Sequence, residues 1–339
     1  MQYALLLKSH GNIRYVQSLK KLAVAELGCI LKAWGIPAEI GTQKIGGGEF
    51  LVFAAEALSP GAWEAVSRHT AICFAAIREG ELLRPVPLMR ENYLPDDIAE
   101  ILKYKGKTNA DFTATMMHCA KSASDFAQCQ EPLCILDPVC GRGTTLFCAL
   151  QEGQHALGVE WDTKAVAEAD AFFSRYLKYH KIKHRRTIGS LTLPRGGNAK
   201  EIQYFFSNSG SRYHEGEGRT LRLVTGDTRD TVQMLGPQSC HLMIGDLPYG
   251  VQHAPKQGGK MASFSKLISE VMPVYQEALK PGGAIALSFN EYTLSRDVLE
   301  QEMVNAGLTV LREFPFGDFS HWVEQAIQRD IIIGKKETE

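Results

Sequence analysis

From Cys134 onward the sequence alternates short apolar runs with longer amphipathic stretches, and this alternation limits the possible fold more than any other feature. Seven strands are predicted, at Cys134–Val139, His155–Glu160, Leu221–Thr225, His241–Ile244, Ala284–Phe289, Leu308–Phe314 and Ala326–Ile333. Helices are predicted at Thr144–Glu152, Thr163–His180, Phe264–Leu279 and Leu294–Ala306. Strands that alternate with helices form a mostly parallel sheet covered on both faces. The sequence therefore predicts a Rossmann-like α/β domain with seven strands.

The first 95 residues have a different pattern. Apolar strands at 3–8, 50–53 and 72–77 are separated by helices that begin near Ile13 and Ser59. This order predicts a ferredoxin-like α+β domain over residues 1–95 and a second domain over 96–339. The prolines within 83–95 predict a linker.

A long stretch of the second domain falls outside the alternating pattern. Residues 184–219 are rich in Gly, Ser and Arg, with strand-like pieces at 187–193 and 202–206. The stretch is longer than a connecting loop normally is, which favours a functional role for this insertion.

Charge and hydropathy restrict the partners of the chain. The 37 Lys and Arg residues against 38 Asp and Glu give a net charge of −1, so a nucleic-acid site must be a local patch. The longest apolar run, residues 71–77, is far shorter than the roughly 20 residues that span a bilayer. The start of the chain lacks the features of a secretory signal. These observations predict a cytoplasmic protein without a membrane partner.

The metal-ligating residue types do not form a metal motif. The eight cysteines are never two residues apart and mostly lie in apolar runs, which favours buried free thiols over a zinc ribbon or a redox pair. His180 and His184 are four residues apart, but they lie among cations that would repel a divalent metal. We therefore expect no metal, and a solvated basic helix end at these histidines.

The strand predicted at 134–139 runs into a glycine turn that opens a helix. The residues are Leu136-Asp137-Pro138-Val139-Cys140-Gly141-Arg142-Gly143-Thr144-Thr145. Such a turn lets backbone N–H groups approach a ligand closely. Leu146 occupies the position of the third glycine of a dinucleotide fingerprint, and Asp137 would repel a pyrophosphate. The charge at this turn favours a ligand with a cationic head.

Two further carboxylates follow the next strands. Glu160 lies 23 residues after Asp137 and can accept both hydroxyls of a ribose, each contact contributing about 1.5–3 kcal/mol. Asp162 is instead predicted to cap the following helix. Asp227, in Val224-Thr225-Gly226-Asp227-Thr228, can accept a hydrogen bond from an exocyclic amine such as that of adenine, although this pattern alone would indicate a turn.

The fourth motif is Ile244-Gly245-Asp246-Leu247-Pro248-Tyr249-Gly250, at the carboxyl end of another predicted strand. The lone pair of an amino nitrogen on a planar ring is delocalised and barely nucleophilic. Methylation of such a nitrogen therefore requires groups that accept its N–H protons. Asp246 and a main-chain carbonyl near Pro248 can do this while Tyr249 stacks on the ring.

Together these stretches resemble the seven-strand S-adenosylmethionine-dependent methyltransferases. Asp246-Leu247-Pro248-Tyr249 is similar to the (Asp/Asn)-Pro-Pro-(Tyr/Phe) signature of the subclass that methylates amino groups. Within that subclass the chain looks most like the tRNA guanosine-N2 methyltransferases. Their members carry an Asp-Pro-x-Cys-Gly-x-Gly-Thr turn, an Asp-Pro-Pro-Tyr-Gly site and an N-terminal RNA-handling region that begins with a ferredoxin-like unit. The resemblance covers residues 98–335 well and residues 1–95 only in outline.

The resemblance implies S-adenosyl-L-methionine as cofactor, a nucleic acid, namely tRNA, as substrate, and methyl transfer to guanine N2. By it, Asp246, Pro248 and Tyr249 are the catalytic residues that hold the target base. The implied cofactor-binding residues are Asp137, Cys140, Gly141, Gly143 and Thr144 at the methionine end, Glu160 at the ribose, and Asp227 with Thr228 at the adenine. Thr113, with Phe112, lies in the segment that the family lays over the cofactor.

Alternatives remain open at this stage. The same core methylates adenine N6 in DNA or ribosomal RNA, or a protein glutamine, because all of these offer a planar amide or amino group. Leu247 stands in place of the first proline of the signature, which also leaves open a module that binds the cofactor or a partner without turnover. The cations at 178–186, with Arg195, Arg212, Arg219 and Arg222, are either phosphate contacts or a solubilising surface. The need for a helper subunit is not determined.

Overall fold

The computed structural model describes residues 1–9, 13–104, 106–193, 198–247 and 260–338, with the side chains of 13–19 and 260–263 left aside. Among these residues no helix combines the length and the apolar character that crossing a bilayer requires.

The N-terminal part contains one antiparallel sheet. Its elements are β1 (Gln2–Leu7), α1 (Ile13–Ala33), β2 (Gly41–Ile45), β3 (Gly48–Ala54), α2 (Pro60–Ser67), β4 (Ile72–Glu79) and β5 (Leu82–Pro85). The strand order is β2-β3-β1-β4-β5. Ser59 caps α2 by accepting the Ala62 N–H at 3.3 Å, as its position before Pro60 predicts. Strand β5 occupies part of the stretch predicted as a linker, so that prediction is wrong for residues 83–85.

Helix α1 packs on two sides. Ala23, Leu27 and Leu31 join the core of the N-terminal sheet, whereas Leu22 and Cys29 join the core of the rest of the chain. A separate domain over residues 1–95 therefore stays a prediction, because one helix supplies both cores.

The remaining elements alternate between helix and strand. They are α3 (Ile98–Ile101), α4 (Ala110–Ala123), β6 (Cys134–Asp137), α5 (Thr144–Gln151), β7 (His155–Glu160), α6 (Thr163–Tyr179), β8 (Lys183–Thr192), β9 (Asn198–Ser207), α7 (Gly210–His214), β10 (Arg219–Thr225), α8 (Thr231–Leu235), β11 (Cys240–Asp246), α9 (Lys260–Ala278), β12 (Leu279–Asn290), α10 (Arg296–Asn305), β13 (Thr309–Val310), β14 (His321–Glu324) and β15 (Ile327–Lys335).

The second sheet has the order β13-β15-β12-β11-β6-β7-β10-β9-β8, with β14 paired to β15. Strands β10, β7, β6, β11 and β12 are parallel, and β15 is antiparallel to β12. This mixed α/β sheet confirms the predicted fold class. From β6 the chain builds outward first through β7 and β10 and then, on the other side, through β11 and β12. The strand order therefore reverses between β6 and β11, which is where open α/β sheets bind ligands, at the carboxyl ends of the strands.

The sheet differs from the seven-strand prediction in three ways. The insertion forms the long hairpin β8–β9, which adds two strands beside β10. The strand predicted at 308–314 is limited to Thr309–Val310, and β14 was not predicted. Strand β12 begins at Leu279, directly after the end of α9, and is therefore five residues longer at its start than the strand predicted at Ala284–Phe289.

The cysteines are free thiols, and Cys29, Cys119, Cys140, Cys148 and Cys240 are buried as predicted. Cys73 is exposed, which the prediction did not anticipate. His180 ends α6 but His184 lies on β8, so the predicted helix end that carries both histidines is wrong.

Candidate active site at the sheet reversal

Four carboxylates lie at the carboxyl ends of neighbouring parallel strands. Asp137 ends β6, Glu160 ends β7, Asp246 ends β11, and Asp227 follows β10 by two residues. The Asp137 carboxyl senses the charges of both Glu160 and Asp246. The order β10-β7-β6-β11 thus brings together side chains that lie up to 109 residues apart in the sequence.

The glycine turn after β6 has the open backbone that the sequence predicts. Gly141 and Gly143 have φ values of 52° and 89°, in the left-handed region that favours glycine. The Gly141 N–H donates to Glu160 Oε2 at 2.8 Å, which ties the turn to the neighbouring strand end. A Cβ placed on Gly141 would meet no atom within 4 Å, so the space above the turn is open. This opening lies beside the carboxylates of Asp137 and Glu160.

Cys140 packs under the turn rather than facing this opening. Its side chain is buried, and a Cβ on Gly158 of β7 would come within 2.8 Å of Cys140 Sγ and 2.6 Å of Leu146 Cδ1. Because Gly158 has no side chain, the turn can pack closely against β7. Any contact of Cys140 with a ligand would come from its backbone.

Asp137 is buried, with 4% of its surface exposed, and its Oδ1 accepts the Val139 N–H at 3.0 Å. Burial raises the pKa of this carboxyl to about 7, and the nearby charges of Glu160 and Asp246 add to the effect. Hydrogen bonds from Thr145 and Val139 oppose it only in part. A cationic ligand head beside Asp137 would favour the ionised carboxylate, because attraction between the opposite charges would offset the cost of burying the negative charge.

This shift predicts that affinity for a cationic cofactor rises with pH. Below the pKa of about 7 the free protein holds Asp137 largely protonated, and binding must release that proton. The association constant should rise by roughly ten-fold per pH unit between about pH 5.5 and about pH 7 and then level off. Calorimetry with S-adenosylmethionine, in buffers of different ionisation enthalpy, measures both the affinity and the released proton. In Asp137→Asn the rise should disappear, and an unchanged profile would show that another group is responsible.

Glu160 is buried and already organises two backbone groups. Its Oε2 accepts from Gly141 N, and its Oε1 accepts from Asp162 N at 2.8 Å. Each carboxylate oxygen retains a second acceptor site, so Glu160 can still take two ribose hydroxyls. Asp162 caps α6 through the Lys164 N–H, as predicted.

Asp227 and Thr228 are engaged with protein partners. Asp227 accepts from Arg229 Nη2 at 2.6 Å and from the Arg229 backbone N–H at 2.9 Å. The Thr228 hydroxyl is 2.7 Å from the hydroxyl of the buried Tyr275. Both side chains thus already have partners within the protein, and their contacts with an adenine stay predictions.

Asp246 is held by two hydroxyls from different parts of the chain. Thr108 donates to Oδ2 and Ser288, on the neighbouring strand β12, donates to Oδ1. Leu247, which replaces a proline of the resembled signature, is buried, and its N–H donates to Ser288 O at 2.9 Å. The backbone that follows β11 is thus fixed by β12 at Leu247. Pro248 and Tyr249 lie outside the described residues.

Sequence reasoning missed a polar group that covers the glycine turn. The Tyr104 hydroxyl lies 3.0 Å from Thr144 Oγ1, and the Arg142 guanidinium lies 4.7 Å above the Tyr104 ring. Arg142 also pairs with Glu168 on α6. Together with Thr108, Tyr104 places the segment before α4 over the site, where the resemblance put a covering segment.

The two residues singled out in that segment have other contacts. Thr113 lies within α4 and donates its hydroxyl to Asn109 O at 3.1 Å. Phe112 is buried beneath the Arg329 guanidinium, 4.7 Å from its ring. Thr108, five residues before Thr113, contacts Asp246 instead.

Comparisons with known proteins give only distant similarity. No protein-family model matches the sequence. No curated protein matches it either. Solved structures of similar shape include TrmN from Thermus thermophilus, with 14% identity, a TM-score of 0.43 and coverage of 98% of this chain and 81% of that one.

Two other solved structures are similar at the same level. A protein of Pyrococcus horikoshii, with a suggested RNA methyltransferase activity, has 13% identity and a TM-score of 0.41, and 71% of this chain covers 92% of it. A TehB-like SAM-dependent methyltransferase from Corynebacterium glutamicum has 16% identity and a TM-score of 0.36, over 62% of this chain and 84% of that one. At these values similarity assigns neither a family nor an activity, and the functional assignment depends on the site itself.

Proposed function

We propose that this protein is an S-adenosylmethionine-dependent methyltransferase that acts on an exocyclic amino group of a nucleic-acid base, namely guanine N2 in tRNA. The observation that carries the proposal is the arrangement of Asp137, Glu160 and Asp246 around the point where the strand order reverses. Two of these carboxylates suit a cationic nucleoside, and the third is placed to accept protons from a nucleophile.

The residues present fit S-adenosylmethionine. The open space above Gly141 gives room for the methionine end, with the buried carboxyl of Asp137 beside its ammonium. Glu160 offers acceptors for the ribose hydroxyls, and Asp227 offers one for the adenine amine. When bound, this cofactor supplies a methyl group already activated by its positive sulfur. The protein therefore has to position the nucleophile, exclude water and accept a proton.

Asp246 is suited to hold the amino group. Thr108 and Ser288 fix the orientation of its carboxylate, and a carboxylate oxygen can accept more than one proton, including an N–H proton of the substrate. Withdrawing that proton toward Asp246 would return electron density to the nitrogen while the N–C bond forms and the S–C bond of the methyl donor breaks to leave a neutral thioether. The methylated nitrogen is acidic, so its proton can leave late, and Asp246 need not be a strong base.

The choice of guanine N2 in tRNA rests on the resemblance of the Asp246-Leu247-Pro248-Tyr249 stretch and of the glycine turn. Tyr249 is proposed to stack on a base turned out of the helix, with Pro248 supplying a main-chain carbonyl. Methylation of adenine N6 or of a protein glutamine would use the same carboxylate, so the substrate has to be found by experiment.

Label transfer tests this proposal. Purified protein is incubated with methyl-labelled S-adenosylmethionine and, separately, with bulk tRNA, ribosomal RNA, DNA and a protein extract. We expect label in tRNA alone. Label only in protein or only in DNA would replace the substrate assignment, and calorimetric binding of the cofactor without transfer to any fraction would indicate a binding module.

A further inference from the structure

The hairpin β8–β9 and the end of α6 form a cationic surface that the methyl-transfer site does not use. Between residues 171 and 200 the sequence has eight Lys and Arg and no Asp or Glu, whereas the whole chain has one acidic residue in about nine. The nearest acidic residues, Asp170 and Glu201, border this stretch. The charge is therefore local, as a nearly neutral chain requires for a polyanion site.

Four of these eight cations are available to a partner. Lys178, Lys181, Lys183 and Arg185 are exposed, and none of them forms an ion pair with the described residues. We call these four residues the basic edge. Arg186 is different because it pairs with Asp170 at 2.6 Å.

Two of the arginines singled out in the sequence are also occupied. Arg222 pairs with Glu201 and donates to Met234 O at 2.8 Å. Arg219 donates to Gly153 O and lies 4.5 Å from the Tyr93 ring. These two side chains have structural partners, so the candidate surface is the basic edge rather than the whole set.

Two residues of the basic edge, Lys183 and Arg185, lie on β8, which ends the order of the sheet among the described strands, and the other two lie at the end of α6 and in the turn that follows it. Strand β8 pairs with β9 on one side only, and its residues from Arg185 to Ser190 are exposed. Arg186 faces α6, so Lys183 and Arg185, which are out of phase with it, face the opposite side of the sheet. Cations therefore flank both sides of an edge whose unpaired backbone N–H groups can also donate to an anion.

The register of the hairpin relates this edge to the active site. Lys200 of β9 pairs with Thr225, two residues before Asp227, and Thr192 pairs with Asn198. The far end of β8 thus lies at the carboxyl edge of the sheet, with the four carboxylates. Nine residues separate Lys183 from Thr192, a distance of about 30 Å along the strand.

The length of about 30 Å between Lys183 and this edge of the sheet distinguishes between large and small substrates. It is close to one turn of a nucleic-acid duplex, roughly 34 Å in the case of B-DNA. A small molecule at the active site would not reach it, whereas a folded RNA would. A row of unpaired cations beside the exposed aromatic ring of Tyr179 fits a phosphate backbone.

We propose that the basic edge docks the sugar-phosphate backbone of the RNA substrate about one helical turn away from the base that is methylated. This inference rests on the proposed function, since it assigns a second contact of the same substrate. It gives the insertion a role in binding RNA rather than in the transfer of the methyl group.

The test compares two triple variants with equal charge. The first, Lys178→Ala/Lys183→Ala/Arg185→Ala, removes three members of the basic edge. The control, Lys44→Ala/Arg84→Ala/Arg312→Ala, removes three cations that are 76%, 55% and 65% exposed elsewhere. Both lower the net charge by three, so a difference between them is local. Thermal unfolding checks that each variant is folded.

Binding of bulk tRNA is measured between about 50 and 200 mM salt. The first variant should bind roughly ten-fold or more weakly and lower the slope of log K against log salt by about one per lost phosphate contact. Its KM for tRNA should rise while kcat at saturation and the affinity for S-adenosylmethionine stay unchanged. The control should remain within about two-fold of the wild type. Equal losses in both variants, or an unchanged salt slope, would overturn the inference.

Substrate length separates this inference from the proposed function. A stem-loop of about five base pairs, too short to reach the basic edge, should bind both variants equally. Equal competition by polyglutamate and by RNA of the same charge would overturn the RNA assignment in favour of an acidic protein. If the wild type binds tRNA through this edge but transfers no methyl group, the proposed function fails and the binding surface stands. If tRNA is methylated and the two variants behave alike, the proposed function stands and the inference about the basic edge fails.

Discussion

Asp246→Ala is expected to lower the rate of methyl transfer at saturating substrates by at least about 10²–10³-fold while cofactor affinity changes little. Removing one preorganised group that stabilises developing charge typically has an effect of this size. In the proposed function the carboxylate accepts the N–H proton of the nucleophile, and its loss would leave the nitrogen lone pair delocalised into the ring. Single-turnover rates and calorimetric cofactor affinities are the two measurements required.

Two controls make the Asp246 result specific. Asp246→Asn keeps the shape and one acceptor oxygen, so it should retain more activity than the alanine variant. Ser288→Ala removes only a hydroxyl that orients the carboxylate and should have a smaller effect on the rate. Loss of cofactor affinity alone, with turnover intact at saturation, would contradict the assigned role.

Glu160→Ala is expected to weaken cofactor binding by at least about 10²-fold. Two charge-assisted hydrogen bonds to the ribose, each contributing about 1.5–3 kcal/mol, account for this loss. The variant also removes the acceptor for the N–H groups of Gly141 and Asp162, so the glycine turn loses its link to β7. Calorimetry with S-adenosylhomocysteine measures the change.

The matched variant for this position is Glu160→Gln. It retains one carbonyl acceptor and removes the charge, so its affinity should lie between those of the wild type and Glu160→Ala. An unchanged affinity in the alanine variant would rule out the ribose assignment. If the alanine variant loses as much free energy of unfolding as it loses free energy of cofactor binding, Glu160 acts instead by stabilising the glycine turn.

The sequence predicted the central strands well because they are buried on both faces. Strand segments such as 242–244 and 284–287 are continuous apolar runs bounded by glycine or polar residues. The carboxylates at their ends could be placed at one edge because parallel strands align their carboxyl ends. The reversal of strand order, which brings Asp137 and Asp246 onto neighbouring strands, is a property of the observed pairing.

Helix α4 and its polar contacts could not be predicted from local sequence patterns. Helix α4 was missed because it is buried on several sides and contains Thr113, Thr115 and His118 at positions where a helix pattern expects apolar residues. His118 lies 2.7 Å from both Glu26 and Glu152, and this long-range network satisfies it. Burial alone would lower the pKa of His118, but the two carboxylates raise it to about 10.

The two hydroxyl partners of Asp246 could not be predicted from the sequence either. Thr108 lies 138 residues away from Asp246 in the sequence and Ser288 lies 42 residues away. Neither belongs to a motif, and hydroxyl residues are common on protein surfaces. Only the pairing of β11 with β12 and the path of the segment before α4 bring them to the carboxylate.

The most direct test is mass spectrometry of nucleosides from tRNA treated with the protein and a deuterated methyl donor. The account predicts N2-methylguanosine that carries the deuterated methyl group and is absent from the Asp246→Ala reaction. Label on adenosine N6, or label only in protein glutamine, would contradict the choice of substrate. The absence of label from every acceptor, with the donor bound, would contradict the central claim that Asp246 at the end of β11 activates an amino nitrogen.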